Sequence, residues 1–227
     1  MLNDMDVIIG FEESQAVCKE FLKLGHNAFS CDLKACSGGR TDRHLQMDIY
    51  EALQLRKWDF VGIHPVCTKI ALSGNRTYAP GKLKHQERLD AVEWTIQLWE
   101  YVRENFDKGY MENPMGAMNG DKRLSKPQII HPYYFGDEAM KTTCLWLHNL
   151  PKLYHNKTVN LFDSNVTHVG KGEMYEWVDS KSGKKKRMSM FHAQAKGFGG
   201  KQTVKDYSET RSKTFPGIGK AMADQWG

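Results

Sequence analysis

The strongest constraint on this chain is a recurring pattern of short apolar runs that end on polar, acidic or glycine residues, with helically spaced stretches between them. Residues 6–10 (DVIIG) form a continuous apolar run, as in a strand buried on both faces. Residues 14–24 place Val17, Phe21 and Leu24 at helical spacing, with Ser14 as N-cap and Gly25 as terminator. A second run, 26–32, ends on Asp32. After a Gly-rich loop at 36–40, residues 44–48 reach Asp48, and a short helix follows near 49–55. A third run, 58–65, ends on His64-Pro65. The next helix spans 84–105, with Ala91, Trp94, Ile96, Leu98 and Val102 on its apolar face. Residues 109–111 lead a fourth strand into Glu112-Asn113-Pro114, and 142–150 read as a later strand. This alternation predicts an α/β fold with a doubly wound, mostly parallel sheet.

From 155 to 205 the composition changes. YEWV, the turn DSKSGKKKR and MSMF read as a β-hairpin with a basic tip at Lys184, Lys185, Lys186 and Arg187, followed by a Gly-rich loop near 198. Residues 216–227 read as a closing helix after Pro216-Gly217. The 227 residues therefore divide into a main domain (1–154 and 206–227) and a small insertion, 155–205.

Hydrophobic residues make up 40% and charged residues 26%, and no apolar run nears the roughly 18–20 residues of a membrane span. The acidic start of the chain does not read as a signal peptide, which points to a cytoplasmic protein. A net charge of +5 is compatible with a nucleic-acid partner without requiring one. The five cysteines contain no CxxC pair and the histidines show no ligand spacing, so neither a disulfide framework nor a metal site is expected.

In open parallel sheets, ligands bind at the carboxyl ends of the strands. Four of the predicted strands end in chemically useful residues: Gly10-Phe11-Glu12, Asp32, His64-Pro65-Val66-Cys67 and Glu112-Asn113-Pro114. Asp32 lies roughly 20 residues beyond Gly10, where a carboxylate can accept both hydroxyls of a ribose. A turn or helix-capping aspartate is the plainer alternative. The first strand is followed by GFEESQ, which lacks the glycines of a pyrophosphate cradle, so a nucleoside cofactor without phosphates fits better. S-adenosylmethionine is such a cofactor. Cys67 lies before the 84–105 helix with Lys69 and Arg76 nearby, and these residues suit a nucleophilic thiol as well as an inert one.

The order of these motifs resembles that of the DNA cytosine-5 methyltransferases, and most closely that of small phage-encoded members. The resemblance rests on PVC (65–67), MENP (111–114), FGDEAMKTTCLWL (135–147) and the closing RSKTFPGIGKAMADQWG (211–227). It implies a Rossmann-like class I methyltransferase fold using S-adenosylmethionine, with DNA, duplex or single-stranded, as partner. By this resemblance Cys67 is the nucleophile, Glu112 holds the cytosine ring nitrogen and amine, and Lys141 stands where the family has an arginine. Asp32 and Asp48 would bind the ribose and adenine amine, with Gly10, Phe11, Glu12, His64 and Pro65 lining the cofactor pocket. Lys184, Lys185, Lys186 and Arg187 would meet the nucleic acid. Three departures stand out: Val66 replaces a proline, Lys141 lacks the planar guanidinium fork, and residues 155–205 are far shorter than a typical domain of about 100 residues. Two other readings use the same residues. One is methyl transfer to an exocyclic amine, although HPVC lacks an aromatic fourth residue to stack the base. The other is a catalytically degenerate fold that binds nucleic acid or a partner.

Overall fold

A computed structural model describes residues 4–158, 166–190, 193 and 214–227. The predicted Gly-rich loop near 198 and residues 211–213 of the closing motif lie outside these. The elements run β1 (Asp6–Gly10), α1 (Cys18–Lys23), β2 (Asn27–Cys31), β3 (His44–Leu45), α2 (Ile49–Gln54), β4 (Phe60–Ile63), α3 (Asn75–Tyr78), α4 (His85–Asn105) and β5 (Gly109–Pro114). They continue with β6 (Gln128–Ile130), β7 (Thr143–His148), β8 (Met174–Val178), β9 (Lys185–Ser189) and α5 (Pro216–Trp226).

Seven strands form one sheet in the order β3-β2-β1-β4-β5-β7-β6. β1 to β5 are mutually parallel, and β7 runs antiparallel to both of its neighbours. The doubly wound, mostly parallel sheet is therefore present. Along β1 successive side chains enter opposite layers, as strand geometry requires. Val7 and Ile9 join Phe21 of α1 and Ile218, Met222 and Trp226 of α5. Ile8 joins Ile49 and Leu53 of α2 and Leu98, Trp99 and Val102 of α4. Each such large apolar side chain contributes roughly 1.5–3 kcal/mol by leaving water. Gly62 on β4 lets the sheet accept Tyr110, because a Cβ there would lie 2.5 Å from the tyrosine ring.

Three expectations need correction. α1 begins at Cys18 and its N-cap is Val17, whose own side chain makes no capping bond, so Ser14 does not start it. Gln15 takes a left-handed backbone (φ 57°), which breaks the helical path before Val17. Its buried amide instead donates to Ser30 Oγ (3.1 Å) and Arg40 O (2.9 Å), tying the 36–43 loop to the body. On α4, Trp94 is 39% exposed rather than part of the core, while Arg88, a charged residue, is 5% exposed. In the insertion the hairpin forms, but Lys185, Lys186 and Arg187 lie on β9 and only Lys184 remains in the turn.

Candidate active site

Register brings the strand ends together. Gly10 pairs with Cys31 and Ile63, Cys31 with Leu45, and Ile63 with Met111. These five residues form one row across the sheet, and the next residues along, Phe11, Asp32, His64 and Glu112, form its carboxyl rim. Chain reversal places Leu145 of β7 opposite Glu112.

The Cys67 loop leaves this rim and is held along its length. Asn113 Nδ2 donates to Pro65 O (2.9 Å), linking the end of β5 to the loop. The carbonyl of Cys67 accepts from Ile70 N and Ala71 N, which turns the chain back. Leu72 N and Ala117 N then bond across to Met115 O and Ile70 O, zipping the loop to the segment after β5. Gly116 permits this approach, since a Cβ there would collide with Ile70 O. From beneath, the Arg88 guanidinium donates to Lys69 O (2.6 Å), Asn75 Oδ1 (2.7 Å) and Ala71 O (3.3 Å). Sequence reasoning missed Arg88. The available signal was a cation seven residues before Thr95 and fourteen before Val102, on the buried stripe of α4.

On the β5 side, Glu112 (7% exposed) lines a small cavity with Lys141, Thr143, Thr214, Phe215 and Ile218. His64 stands beside it. Its Nε2 lies 2.7 Å from Tyr110 Oη and its Nδ1 3.5 Å from Thr214 Oγ1. Burial holds the imidazole below its ordinary pKa, with Glu112 opposing that shift and Lys141 adding to it. The structure thus groups His64 with Glu112 and Lys141, whereas the resemblance assigned it to the cofactor pocket. Burial likewise pushes the Tyr110 hydroxyl well above its ordinary range, so it stays protonated.

On the β1–β3 side, Phe11 adopts a left-handed backbone (φ 62°) and meets Trp94 edge-on at 5.9 Å. Tyr50 meets the same indole at 6.5 Å. Asp48 caps α2 by accepting from Tyr50 N (2.8 Å), and Asp32 accepts from Lys34 N (2.9 Å) in a tight turn. Both carboxylates therefore also serve the plainer capping and turn roles. Glu12, expected in the cofactor pocket, turns inward instead. Its two oxygens accept from Val17 N (2.6 Å) and Cys18 N (3.1 Å) at the start of α1, and burial pushes its pKa up to about 8.

This last contact bears on the cofactor. A dinucleotide of this topology rests its pyrophosphate on the N-terminus of the first helix. Here the Glu12 carboxyl group already meets those N–H groups. A nucleoside bearing no phosphate, held by Asp32, Asp48 and the Phe11–Trp94–Tyr50 face, suits the residues present.

Of the cations assigned to nucleic acid, Lys184, Lys185 and Arg187 are exposed. Lys186 is already paired with Asp179 at 2.6 Å.

No protein-family model matches the chain, and no curated protein matches it. Among solved structures, one likeness is to a protein described as a prophage-encoded DNA modification methyltransferase (E. coli), at 12% identity and a TM-score of 0.46. It covers 84% of this chain and 64% of that one. Another is to the methyltransferase EhMeth of Entamoeba histolytica, at 10% identity and a TM-score of 0.48, covering 76% of this chain and 58% of that one. The chain thus spans less than two thirds of either structure. The strand order, with β7 reversed between β5 and β6, gives the architecture. It is a Rossmann-like, mostly parallel α/β fold.

Proposed function

We propose that this chain transfers a methyl group from S-adenosylmethionine to carbon 5 of cytosine in DNA, with Cys67 as covalent nucleophile. The observation that carries this reading is the Asn113–Pro65 hydrogen bond, which holds the Cys67 loop against the strand end bearing Glu112.

The cofactor supplies an electrophilic methyl group, and Asp32 and Asp48 would hold its nucleoside. Carbon 5 of cytosine is too weak a nucleophile to take that methyl unaided. The Cys67 thiolate adds to carbon 6, and its electron pair makes carbon 5 carbanion-like. Glu112 hydrogen-bonds the ring nitrogen and the exocyclic amine, stabilising the charge that addition develops. Lys141 offers a cation to the pyrimidine carbonyl. Once carbon 5 is methylated, loss of its proton to a base expels the thiolate and restores the ring. On duplex DNA the base must first leave the stack, and the 155–205 insertion with its basic hairpin stands in for a target-recognition element.

Incubation with methyl-labelled S-adenosylmethionine and DNA, followed by base analysis, tests the reading. Label in 5-methylcytosine that disappears with Cys67→Ser supports it. Methylation surviving that substitution removes the covalent route and favours exocyclic-amine transfer. Binding of cofactor and DNA with no transfer to any nucleic acid or nucleotide favours the degenerate, non-catalytic reading.

A further inference from the structure

We propose that the β8–β9 hairpin is a stacking platform for single-stranded nucleic acid, with Tyr175 and Trp177 as its base-contacting pair. Residues two apart on a strand share a face. The two rings stack at 6.0 Å between centroids and 27° between planes. Opposite them on the same face lie Met188 and Lys186, so the rings are flanked by a thioether and an aliphatic stem. Both rings are half-buried, and neither is among the residues of the two cores described above. Nucleobases stack on such rings whatever their identity, because every base has a π-face.

Charge complements the rings. Lys181, Lys184, Lys185 and Arg187 are all exposed on a hairpin whose acidic residues are Glu176 and Asp179. Asp179 is committed to structure. Its carboxylate accepts from Ser182 N (2.8 Å), Ser182 Oγ (2.7 Å) and Lys186 Nζ (2.6 Å). Gly183, at φ 64°, donates its N–H to Asp179 O (2.8 Å) and completes the turn. The turn is thus built before any ligand arrives, which limits the ordering cost of binding.

Position supplies the direction. At the root of the hairpin, Ser189 Oγ donates to Met140 O (3.1 Å), one residue before Lys141 of the Glu112 cavity. The root of the hairpin therefore adjoins that cavity, and Tyr175 is the nearer of the two rings to that root. A duplex hides its base faces within its own stack, so an aromatic pair gains little from it. An unpaired strand offers them openly.

This inference rests on the nucleic-acid part of the function proposed above, and not on methyl transfer. Anisotropy of a fluorescein-labelled oligothymidylate, with a duplex of equal length as comparison, tests it on the full chain without cofactor. The single strand is expected to bind more tightly. Trp177→Ala should weaken single-strand binding by about tenfold, leave duplex binding unchanged, and be largely rescued by Trp177→Phe. Lys184→Glu with Lys185→Glu should weaken both ligands and flatten the salt dependence. Tighter duplex binding, or single-strand affinity within twofold of wild type in Trp177→Ala, overturns the platform. The methylation assay separates the two proposals. A chain that stacks single strands without methylating them loses the enzymatic reading alone. One that methylates DNA with Trp177→Ala binding undisturbed loses the platform alone.

Discussion

Arg88 is the residue whose loss should be felt furthest from where it sits. It is 5% exposed, and its side-chain hydrogen bonds run to two carbonyls and a side-chain amide of the 69–75 segment. Burying a cation that has no carboxylate partner among the described residues is expensive, so the acceptors it serves must be worth fixing. Arg88→Met keeps much of the volume but strands three acceptors, and should cost about 3 kcal/mol in urea unfolding. It should also alter the rate at which Cys67 is alkylated, read by mass spectrometry of iodoacetamide-treated protein. An unchanged rate would mean the loop keeps its shape without the guanidinium. Glu12 makes a different prediction. Below pH 4.5 the carboxyl is protonated in folded and unfolded chains alike. Above that the unfolded chain releases the proton while the folded chain holds it up to about pH 8. Stability therefore declines between those values, and Glu12→Gln should flatten the decline in urea midpoints measured across the window.

At the scale of elements, α5 shows how a closing helix can be structural and still reach the site. Trp226 packs on Phe60 and Tyr110, at 6.2 and 5.4 Å between centroids, and donates Nε1–H to Pro151 O (3.0 Å). Trp226→Ala should cost about 3–5 kcal/mol by leaving a cavity, measured by chemical denaturation. Because Tyr110 carries His64, the same substitution should loosen the His64–Tyr110 contact, seen as a change in the imidazole titration by NMR. The elements themselves were largely legible. α4 was read to within one residue of its observed bounds, because a helix of that length repeats its apolar pattern several times. α1 was misread at its start because Ser14 has the chemistry of a cap, while the group that caps, Glu12, comes from a strand end and is brought in by tertiary packing. β6 was not foreseen, since three residues are too few to show a period.

At the scale of the molecule, the rim is one surface made from strands far apart in sequence. If Asp32 and Asp48 hold a nucleoside there, S-adenosylmethionine at one hundred times its Kd should stabilise the chain by about 2.7 kcal/mol, read as a rise in Tm. Asp32→Asn should diminish that rise. A full shift in that variant would place the nucleoside elsewhere. The strand ends and the residue types that stand on them were determined by the sequence alone, because alternation, apolar runs and terminating residues are local signals that no partner need complete. Which ends lie side by side, the reversal of β7, the inward turn of Glu12, the grouping of His64 with Glu112 and Lys141, and the burial of Arg88 were decided only by tertiary structure. Each depends on a pairing or packing partner tens of residues away, and local patterning carries no record of that partner.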